Sequence, residues 1–295
     1  MTWFAKRFLP LLLVAFLAAS CGSRPMEPER RQNARQAPNS EISIYSHDEA
    51  GTPGTVTEGS TPPLAGGPEK FERMTHLADN RALARKYPGI IVLNATGLSN
   101  KIALTFDDGP DERFTPQVLD VLKKNGVKAT FFLIGARVAG HPDVTQRIHN
   151  EGHIIGNHTY WHPKLYKESL ERMRWEASET DKVIRDLVGY SPKLLRSPYG
   201  GLNEQNVEAL GEMNYSIVGW SVDSLDWKQI PAEEVKKNVL TTVKPGSIIL
   251  MHSGGDWRQD LSGMVAALED IIPALKARGL EFVTVPQLLN IPHSK

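Results

Sequence analysis

Cysteine is almost absent from this sequence, since Cys21 is the only one among 295 residues. A single thiol excludes an intramolecular disulfide framework and any zinc site built from several thiolates. An excess of charge of one sign is also lacking. The 34 lysines and arginines balance the 34 aspartates and glutamates, which argues against a protein that holds nucleic acid through a basic surface. Any metal site must therefore be built from imidazole and carboxylate groups.

An apolar run near the N-terminus is too short to cross a bilayer comfortably, which takes about 20 residues. It covers residues 8–19, follows Lys6 and Arg7, and leads through small residues to Cys21. This pattern predicts a secretory signal over residues 1–20. With cysteine at the cleavage point, the segment resembles the lipobox of bacterial lipoproteins, except that Ala18 stands where leucine is usual. The resemblance implies an acylated Cys21 and an exported domain anchored to the cell membrane; an ordinary secretory signal is the alternative.

Composition divides the rest of the chain. Residues 21–68 are rich in proline, arginine, glutamine, serine, threonine, glutamate and glycine, and such a segment cannot bury enough apolar surface to offset its chain entropy. It is predicted to be a disordered tether. Residues 69–98 form a short pre-domain segment with a weakly helical pattern up to residue 87. The folded domain is predicted to cover residues 99–291.

Within the domain, apolar runs alternate with helical segments. Strands are predicted at residues 102–106, 129–134, 154–155, 193–195, 216–220, 247–251 and 281–285. Helices are predicted at residues 115–124, 143–151, 165–188, 204–213, 232–242 and 261–277. This alternation indicates an α/β fold with a parallel sheet covered by helices. About seven such units predict a distorted (β/α) barrel; an open doubly wound sheet is the alternative.

Polar clusters follow the predicted strands directly. In chain order they are Asp107 with Asp108, His158 with His162, Arg196, Asp223 with Asp226, and His252. The loops at the carboxyl ends of parallel strands converge on one face of the fold, where active sites of such proteins lie. The sequence therefore predicts that these side chains meet in one site.

The two histidines at positions 158 and 162 are four residues apart, so one helical turn would place both imidazoles on one face. Asn157 is expected to cap that turn and Pro163 to end it. Taken alone, the spacing also fits two surface histidines. With Asp108 nearby, two imidazoles and a carboxylate make a three-ligand metal site that is open to water. Zinc fits these donors, as do cobalt, nickel and manganese.

Five motifs carry a specific resemblance. They are T-F-D-D-G-P (105–110), H-T-Y-W-H (158–162), R-S-P-Y (196–199), D-S-L-D-W (223–227) and L-M-H (250–252). In this order they resemble the NodB-homology polysaccharide deacetylases of carbohydrate esterase family 4, over roughly residues 101–290. The resemblance implies a metal-dependent hydrolase that removes N-acetyl groups from chitin-type or peptidoglycan sugars. Ser197 is a mild departure, since proline is common there.

The resemblance also implies a role for each matching residue. Asp107 would be the general base and His252 the general acid, while Asp108, His158 and His162 would bind the metal. Arg196 would orient Asp107, and Asp226, in preference to Asp223, would position His252. The remaining expectations concern substrate: the Tyr199 N–H would help hold the oxyanion, Trp227 would line the groove and Leu250 would shape the acetyl pocket.

The same residues argue against three alternative functions. Asp107 and Asp108 are adjacent, which suits poorly a glycosidase whose carboxyls lie about 5 Å or more apart. An Fe(II) site would leave the base and the acid idle. A catalytically silent glycan-binding lipoprotein is the remaining alternative, but such proteins typically lose a ligand or the base. We therefore predict a monomeric enzyme acting on an N-acetylated glycan, with peptidoglycan favoured by the predicted envelope location.

Overall fold

The computed structural model describes residues 43–45, 53–55, 64, 65, 67, 73–97 and 99–295. The predicted signal segment and Cys21 lie outside these residues. Among the helices of the described ranges, none has the length and apolar character needed to cross a membrane.

The elements are numbered along the chain. The strands are β1 (Ser43–Tyr45), β2 (Pro53–Thr55), β3 (Ile91–Val92), β4 (Lys101–Gly109), β5 (Thr130–Leu133), β6 (Ile154–Asn157), β7 (Leu194–Leu195), β8 (Ser216–Val218), β9 (Val222–Asp223), β10 (Ile248–His252) and β11 (Glu281–Phe282). The helices are α1 (Arg73–Lys86), α2 (Thr115–Asn125), α3 (Gly135–Gly140), α4 (Pro142–Asn150), α5 (Leu170–Val188), α6 (Glu204–Glu212), α7 (Ala232–Thr242), α8 (Ser262–Ala277) and α9 (Val285–Leu289). Short 3₁₀ turns cover Leu165–Lys167, Pro198–Gly200 and Asp226–Lys228.

The main sheet is parallel throughout. Its strand order is β3-β8-β7-β6-β5-β4-β10-β9, and β11 pairs with the start of β4. Strands β4 to β8 are neighbours in chain order, as in a barrel, whereas a doubly wound sheet reverses its order at a switch point. The sheet curls into a half-barrel surrounded by helices. The predicted distorted (β/α) barrel is confirmed.

Alternate residues of the central strand β4 face opposite sides of the sheet. Ile102, Leu104 and Phe106 pack outward in the large core beneath the helices. Ala103 faces the barrel interior, in a separate cluster that includes Leu250 of β10. Burying one such aliphatic or aromatic side chain stabilises the fold by about 1.5–3 kcal/mol. The two packed layers fix β4 and β10 side by side, and both strands end at the site described below.

The structure corrects several predicted boundaries. The two-residue strands β3 and β9 were not predicted, because two residues carry no detectable period; β3 therefore extends the sheet to residues before 99. Helix α3 was missed as well. Helix α5 begins at residue 170 rather than 165, since Ser169 caps it by accepting the N–H of Arg172. The last strand ends at residue 282, and Val285 begins helix α9 instead of ending the strand.

The structure describes a few residues of the predicted tether. Strands β1 and β2 form an antiparallel pair within it. Leu64 is buried in a cluster with Ile134, Ala136, Tyr160 and Trp161, and the N–H of Ala65 donates to the carbonyl of Trp161 at 2.9 Å. The chain therefore packs against the domain before residue 68, because Leu64 is buried in this apolar cluster.

Candidate active site

Strands β4 and β10 place their polar ends next to each other. In the parallel register, His252 pairs with Asp107, and Leu250 pairs with Thr105. A bulge interrupts the pairing of β4 with β5 between Asp107 and Gly109. Asp108 adopts a positive φ of 66° at this bulge, a conformation that aspartate tolerates better than most residues. The irregular strand end therefore interrupts the alternation that would separate the two aspartates onto opposite faces.

The structure brings Asp108, His158 and His162 together. The Asp108 Oδ1 lies 3.2 Å from Nε2 of His158 and 3.1 Å from Nε2 of His162. The three ligand atoms lie within 4.8 Å of one another, and all three residues are buried. Nδ1 of His158 is 2.8 Å from the carbonyl of Arg196. A carbonyl can only accept, so this nitrogen carries the proton and Nε2 presents a lone pair to the cluster.

These residues fit a divalent metal ion. Within the described part of the chain, Asp108 Oδ1 and His158 Nε2 are buried without a hydrogen-bond partner. Two buried acceptor atoms facing each other are unfavourable unless something positive lies between them. Burial alone would raise the pKa of the Asp108 carboxyl, but the charge of the His162 imidazole is the largest influence that lowers it, and the pKa lies well below its ordinary value. The cluster thus stabilises the ionised carboxylate that a metal requires.

The backbone between the two histidines is not the predicted helical turn. Thr159 and His162 have positive φ angles of 66° and 60°, and Asn157 ends strand β6. The Asn157 Oδ1 accepts the N–H of Thr159 at 2.8 Å, so its side chain supports a loop instead of capping a helix. The two imidazole rings still lie 4.9 Å apart. The spacing predicted the proximity correctly and the secondary structure wrongly.

Arg196 holds one oxygen of Asp107. Its Nη1 donates to Asp107 Oδ1 at 2.7 Å and to Thr105 Oγ1 at 2.8 Å. The guanidinium lies over the Phe132 ring at 4.2 Å from its centroid. Asp107 Oδ2 has no hydrogen-bond partner among the described residues and lies 3.8 Å from His158 Nε2. One oxygen is therefore anchored and the other faces the histidine cluster.

Asp226, and not Asp223, holds His252. Asp226 Oδ1 lies 2.7 Å from His252 Nδ1, and Asp226 Oδ2 accepts the backbone N–H of His252 at 2.8 Å. Both side chains are buried. Asp223 instead accepts the N–H of Leu225 at 2.9 Å. With Nδ1 tied to a carboxylate, Nε2 is the nitrogen through which His252 can exchange a proton.

Comparisons with known proteins identify chains of similar sequence. Residues 95–218 match the family model for polysaccharide deacetylase. A peptidoglycan-N-acetylglucosamine deacetylase of Bacillus cereus is 48% identical over 192 residues, which are 64% of this chain and 68% of that protein. A chitooligosaccharide deacetylase of Bradyrhizobium is 36% identical over 199 residues, 64% of this chain and 91% of that protein. The chain belongs to the polysaccharide deacetylase family.

A crystal structure from this family extends the likeness to three dimensions. It is the Bc1960 peptidoglycan N-acetylglucosamine deacetylase in complex with a naphthyl-substituted N-hydroxybenzamide. The two structures superpose with a TM-score of 0.70 at 42% identity, covering 73% of this chain and 99% of the crystallised one. As a member of the polysaccharide deacetylase family, the chain is a hydrolase that acts on the amide bond of N-acetyl groups.

The residues expected to contact substrate occupy different surroundings. Tyr199 has a positive φ of 58°, and its ring meets the His162 ring edge-on at 4.6 Å. Leu250 is fully buried in the barrel interior. Trp227 is 5% exposed, and its carbonyl accepts a hydrogen bond from Gln259 Nε2 at 2.7 Å. Trp227 is therefore almost completely buried.

Two buried charged residues near the site were missed by the sequence analysis. Arg137 on α3 donates to the carbonyl of Asp108 and to that of Gly255, both at 2.6 Å. It thus links the loop after β4 to the loop after β10. Glu176 on α5 accepts the N–H groups of Tyr160 and Trp161. The sequence could have indicated Glu176, because it lies among the apolar positions of the amphipathic helix α5. It could not have indicated Arg137, because helix α3 is too short to show a helical period.

Proposed function

We propose that this deacetylase removes the N-acetyl group of N-acetylglucosamine in peptidoglycan, with a divalent metal held by Asp108, His158 and His162. One observation carries the proposal. The three ligand atoms lie together, and the carboxylate of Asp107 lies beside them with its Oδ2 facing His158. The His252–Asp226 pair lies at the end of the adjacent strand. This set supplies a metal site, a base and an acid, which are the three elements that hydrolysis of an amide needs.

The metal supplies the chemistry that side chains cannot. A divalent ion bound there would polarise the amide carbonyl and lower the pKa of water at the site. Zinc suits two imidazoles and a carboxylate, and cobalt, nickel and manganese accept the same donors. His158 is oriented for this task because its Nδ1–H donates to the carbonyl of Arg196, an outer contact of the kind that fixes ligating imidazoles.

Asp107 acts as general base in this proposal. Arg196 fixes the orientation of its carboxylate through Oδ1 and leaves Oδ2 directed at the ligand cluster. Oδ2 takes the proton from water as the water attacks the amide carbon. Negative charge then develops on the former carbonyl oxygen, where the backbone N–H of Tyr199 would contribute one stabilising donor. A preorganised donor of this kind is worth about 3–4 kcal/mol in other hydrolases.

His252 acts as general acid. An amine is a poor leaving group unless it is protonated, so the departing nitrogen needs a proton from the enzyme. The Asp226 carboxylate holds the Nδ1 side of the ring and stabilises the imidazolium, which donates its Nε2 proton to that nitrogen. The products are acetate and a free amino sugar. Leu250 would shape the acetyl pocket, and Trp227 would line the substrate groove.

The choice of peptidoglycan rests on two supports. Several relatives carry names that refer to peptidoglycan, among them the Bacillus cereus protein that is 48% identical. The N-terminal pattern supports an exported protein anchored through a lipid on Cys21, which would hold the domain beside the cell wall. Loss of the protein from the membrane fraction in a Cys21→Ser variant tests this location; an unchanged distribution would contradict lipid anchoring.

Acetate release from purified glycans tests the proposed activity. The zinc-loaded protein and an Asp107→Ala variant are incubated with peptidoglycan and, separately, with chitin oligomers. We expect acetate from peptidoglycan with the wild type only, and tandem mass spectrometry should locate the lost acetyl group on N-acetylglucosamine. Faster release from chitin oligomers would make the peptidoglycan assignment wrong. If the wild type releases no more acetate than Asp107→Ala from either glycan, the proposed activity is contradicted and the alternative of a silent glycan binder is favoured.

A further inference from the structure

A buried carboxylate on helix α5 lies against the loop that carries both metal histidines. Glu176 is completely buried. Its Oε2 accepts the backbone N–H groups of Tyr160 at 2.7 Å and of Trp161 at 2.8 Å. These two residues lie between His158 and His162 in the chain. One oxygen atom of Glu176 therefore binds the middle of the metal-histidine loop, which we define as residues 158–162.

The metal-histidine loop needs such a contact because its backbone is irregular. Positive φ angles at Thr159 and His162 are unfavourable for residues other than glycine. The other N–H groups of the loop have their own acceptors. His158 donates to Leu133 O on strand β5, Thr159 to Asn157 Oδ1 and His162 to Thr159 Oγ1. The N–H groups of Tyr160 and Trp161 have Glu176 as the acceptor that satisfies them in the interior.

The second oxygen of Glu176 has its own partner. Arg172, one turn earlier on α5, donates to Oε1 through Nε at 3.0 Å and through Nη2 at 2.7 Å. Arg172 also lies over the Trp175 ring, 4.5 Å from its centroid. A buried carboxylate without a cation and hydrogen-bond donors would be costly. Burial raises the pKa of the Glu176 carboxyl, and the loop N–H groups together with Arg172 oppose that rise. Arg172 also holds the side chain in the orientation that reaches the loop.

We propose that Glu176 is a positioning residue for the metal site. It contacts neither substrate nor metal ligand side chains; it fixes the loop conformation in which both imidazoles reach Asp108. The inference rests on the metal centre proposed above. Carboxylates that orient metal ligands from outside the coordination sphere typically contribute about 10- to 100-fold to metal affinity. The same contribution is expected from Glu176, acting through the backbone of the loop.

A Glu176→Gln variant of the full chain tests the proposal without an activity assay. Glutamine keeps the size of the side chain but has one oxygen and one NH₂ group. If its oxygen accepts the two loop N–H groups, its NH₂ faces the Arg172 donors. We expect the zinc affinity of the metal-free protein, measured by competition calorimetry, to fall about 10- to 100-fold. The absorption spectrum of bound Co²⁺ should change as well, because the two imidazoles no longer hold one fixed geometry.

Two further variants make the test specific. Thr180→Val is the matched control: Thr180 is buried on the same helix, one turn further along, and its hydroxyl donates to the Glu176 carbonyl at 2.9 Å. Its loss should lower stability while zinc affinity and the Co²⁺ spectrum stay as in the wild type. Glu176→Asp keeps the charge beside Arg172 but shortens the reach by one methylene. It serves as the second test variant if glutamine prevents folding, with a loss of about tenfold expected.

The positioning role of Glu176 and the metal centre would fail through different results. Wild-type affinity and an unchanged Co²⁺ spectrum in folded Glu176→Gln or Glu176→Asp would overturn the positioning role while leaving the metal centre intact. A His158→Ala variant provides the reference for loss of the site. If the wild type binds zinc no more tightly than His158→Ala, the proposed metal centre itself fails, and the role of Glu176 fails with it.

Discussion

Replacing Asp107 by asparagine is expected to lower the rate of acetate release about 10²- to 10⁴-fold, the usual contribution of a general base. Asparagine has nearly the same shape, and its Oδ1 can still accept the hydrogen bond from Arg196. Its amide group cannot take a proton from water. The Oδ2 position that faces the ligand cluster, 3.8 Å from His158 Nε2, would hold an NH₂ group instead of a basic oxygen.

The measurement pairs the rate with the metal content. Acetate release from peptidoglycan is followed at saturating substrate, and bound zinc is counted by elemental analysis of the same samples. We expect one zinc per chain in both proteins, because Asp107 is not among the three ligand residues. Loss of rate with retained metal then separates a base from a ligand. A variant that lost its zinc as well would show that Asp107 is part of the metal site.

Asp223→Asn provides the matched control for this prediction. Asp223 is also an aspartate at a strand end, and its Oδ1 accepts the backbone N–H of Leu225, a bond that asparagine can preserve. Its rate should stay within about threefold of the wild type, well inside the loss expected for removing a base. If Asp107→Asn kept more than a tenth of wild-type turnover, Asp107 would not be the base, and the proton would have to go elsewhere.

The positions of the site residues could be predicted because two simple rules act together. Strand composition located β4, β6 and β10, and the rule that parallel strands present their carboxyl ends on one face placed Asp108, His158 and His252 together. Neither rule needs the details of the loops. Predictions of this kind succeed where the strand itself is buried and strongly apolar, as β4 is between residues 102 and 106.

The loop that carries the histidines shows where such reasoning fails. An i,i+4 spacing of two histidines fits a helical turn as well as a compact loop, and nothing within residues 158–162 decides between them. The decision comes from Glu176, which is 15 or 16 residues later in the chain and supplies the acceptor for two N–H groups. A contact between residues so far apart in the chain can override the local conformational preference of the loop. It cannot be predicted from the sequence of the loop alone.

The bulge at Asp108 is a second feature that the local sequence pattern does not predict. Strict alternation along β4 would point Asp107 and Asp108 to opposite faces of the sheet. The positive φ of Asp108 and the shifted pairing with β5 change that geometry. Around it, Arg137 binds the Asp108 carbonyl, and Gly254 approaches so closely that an added Cβ would lie 2.3 Å from the same oxygen. These long-range contacts have no signature in the segment itself.

Removing the metal is expected to abolish acetate release altogether. Amide carbonyls are poor electrophiles and water is a poor nucleophile. Proton transfer by Asp107 and His252 alone therefore does not activate either reactant sufficiently. Without a cation, Asp108 Oδ1 and the two Nε2 atoms about 3 Å away also lose the positive charge that would bind all three. Dialysis against a chelator should therefore remove activity, and added zinc should restore it to the wild type.

The most direct test of this account is a titration of the metal-free protein with zinc, with acetate release from peptidoglycan as the readout. We predict that activity rises in proportion to zinc and stops rising at one equivalent per chain. A His158→Gln variant should recover no activity at the same equivalence. Full activity in the metal-free wild type, or recovery of His158→Gln at one equivalent, would contradict a single cation held by Asp108, His158 and His162.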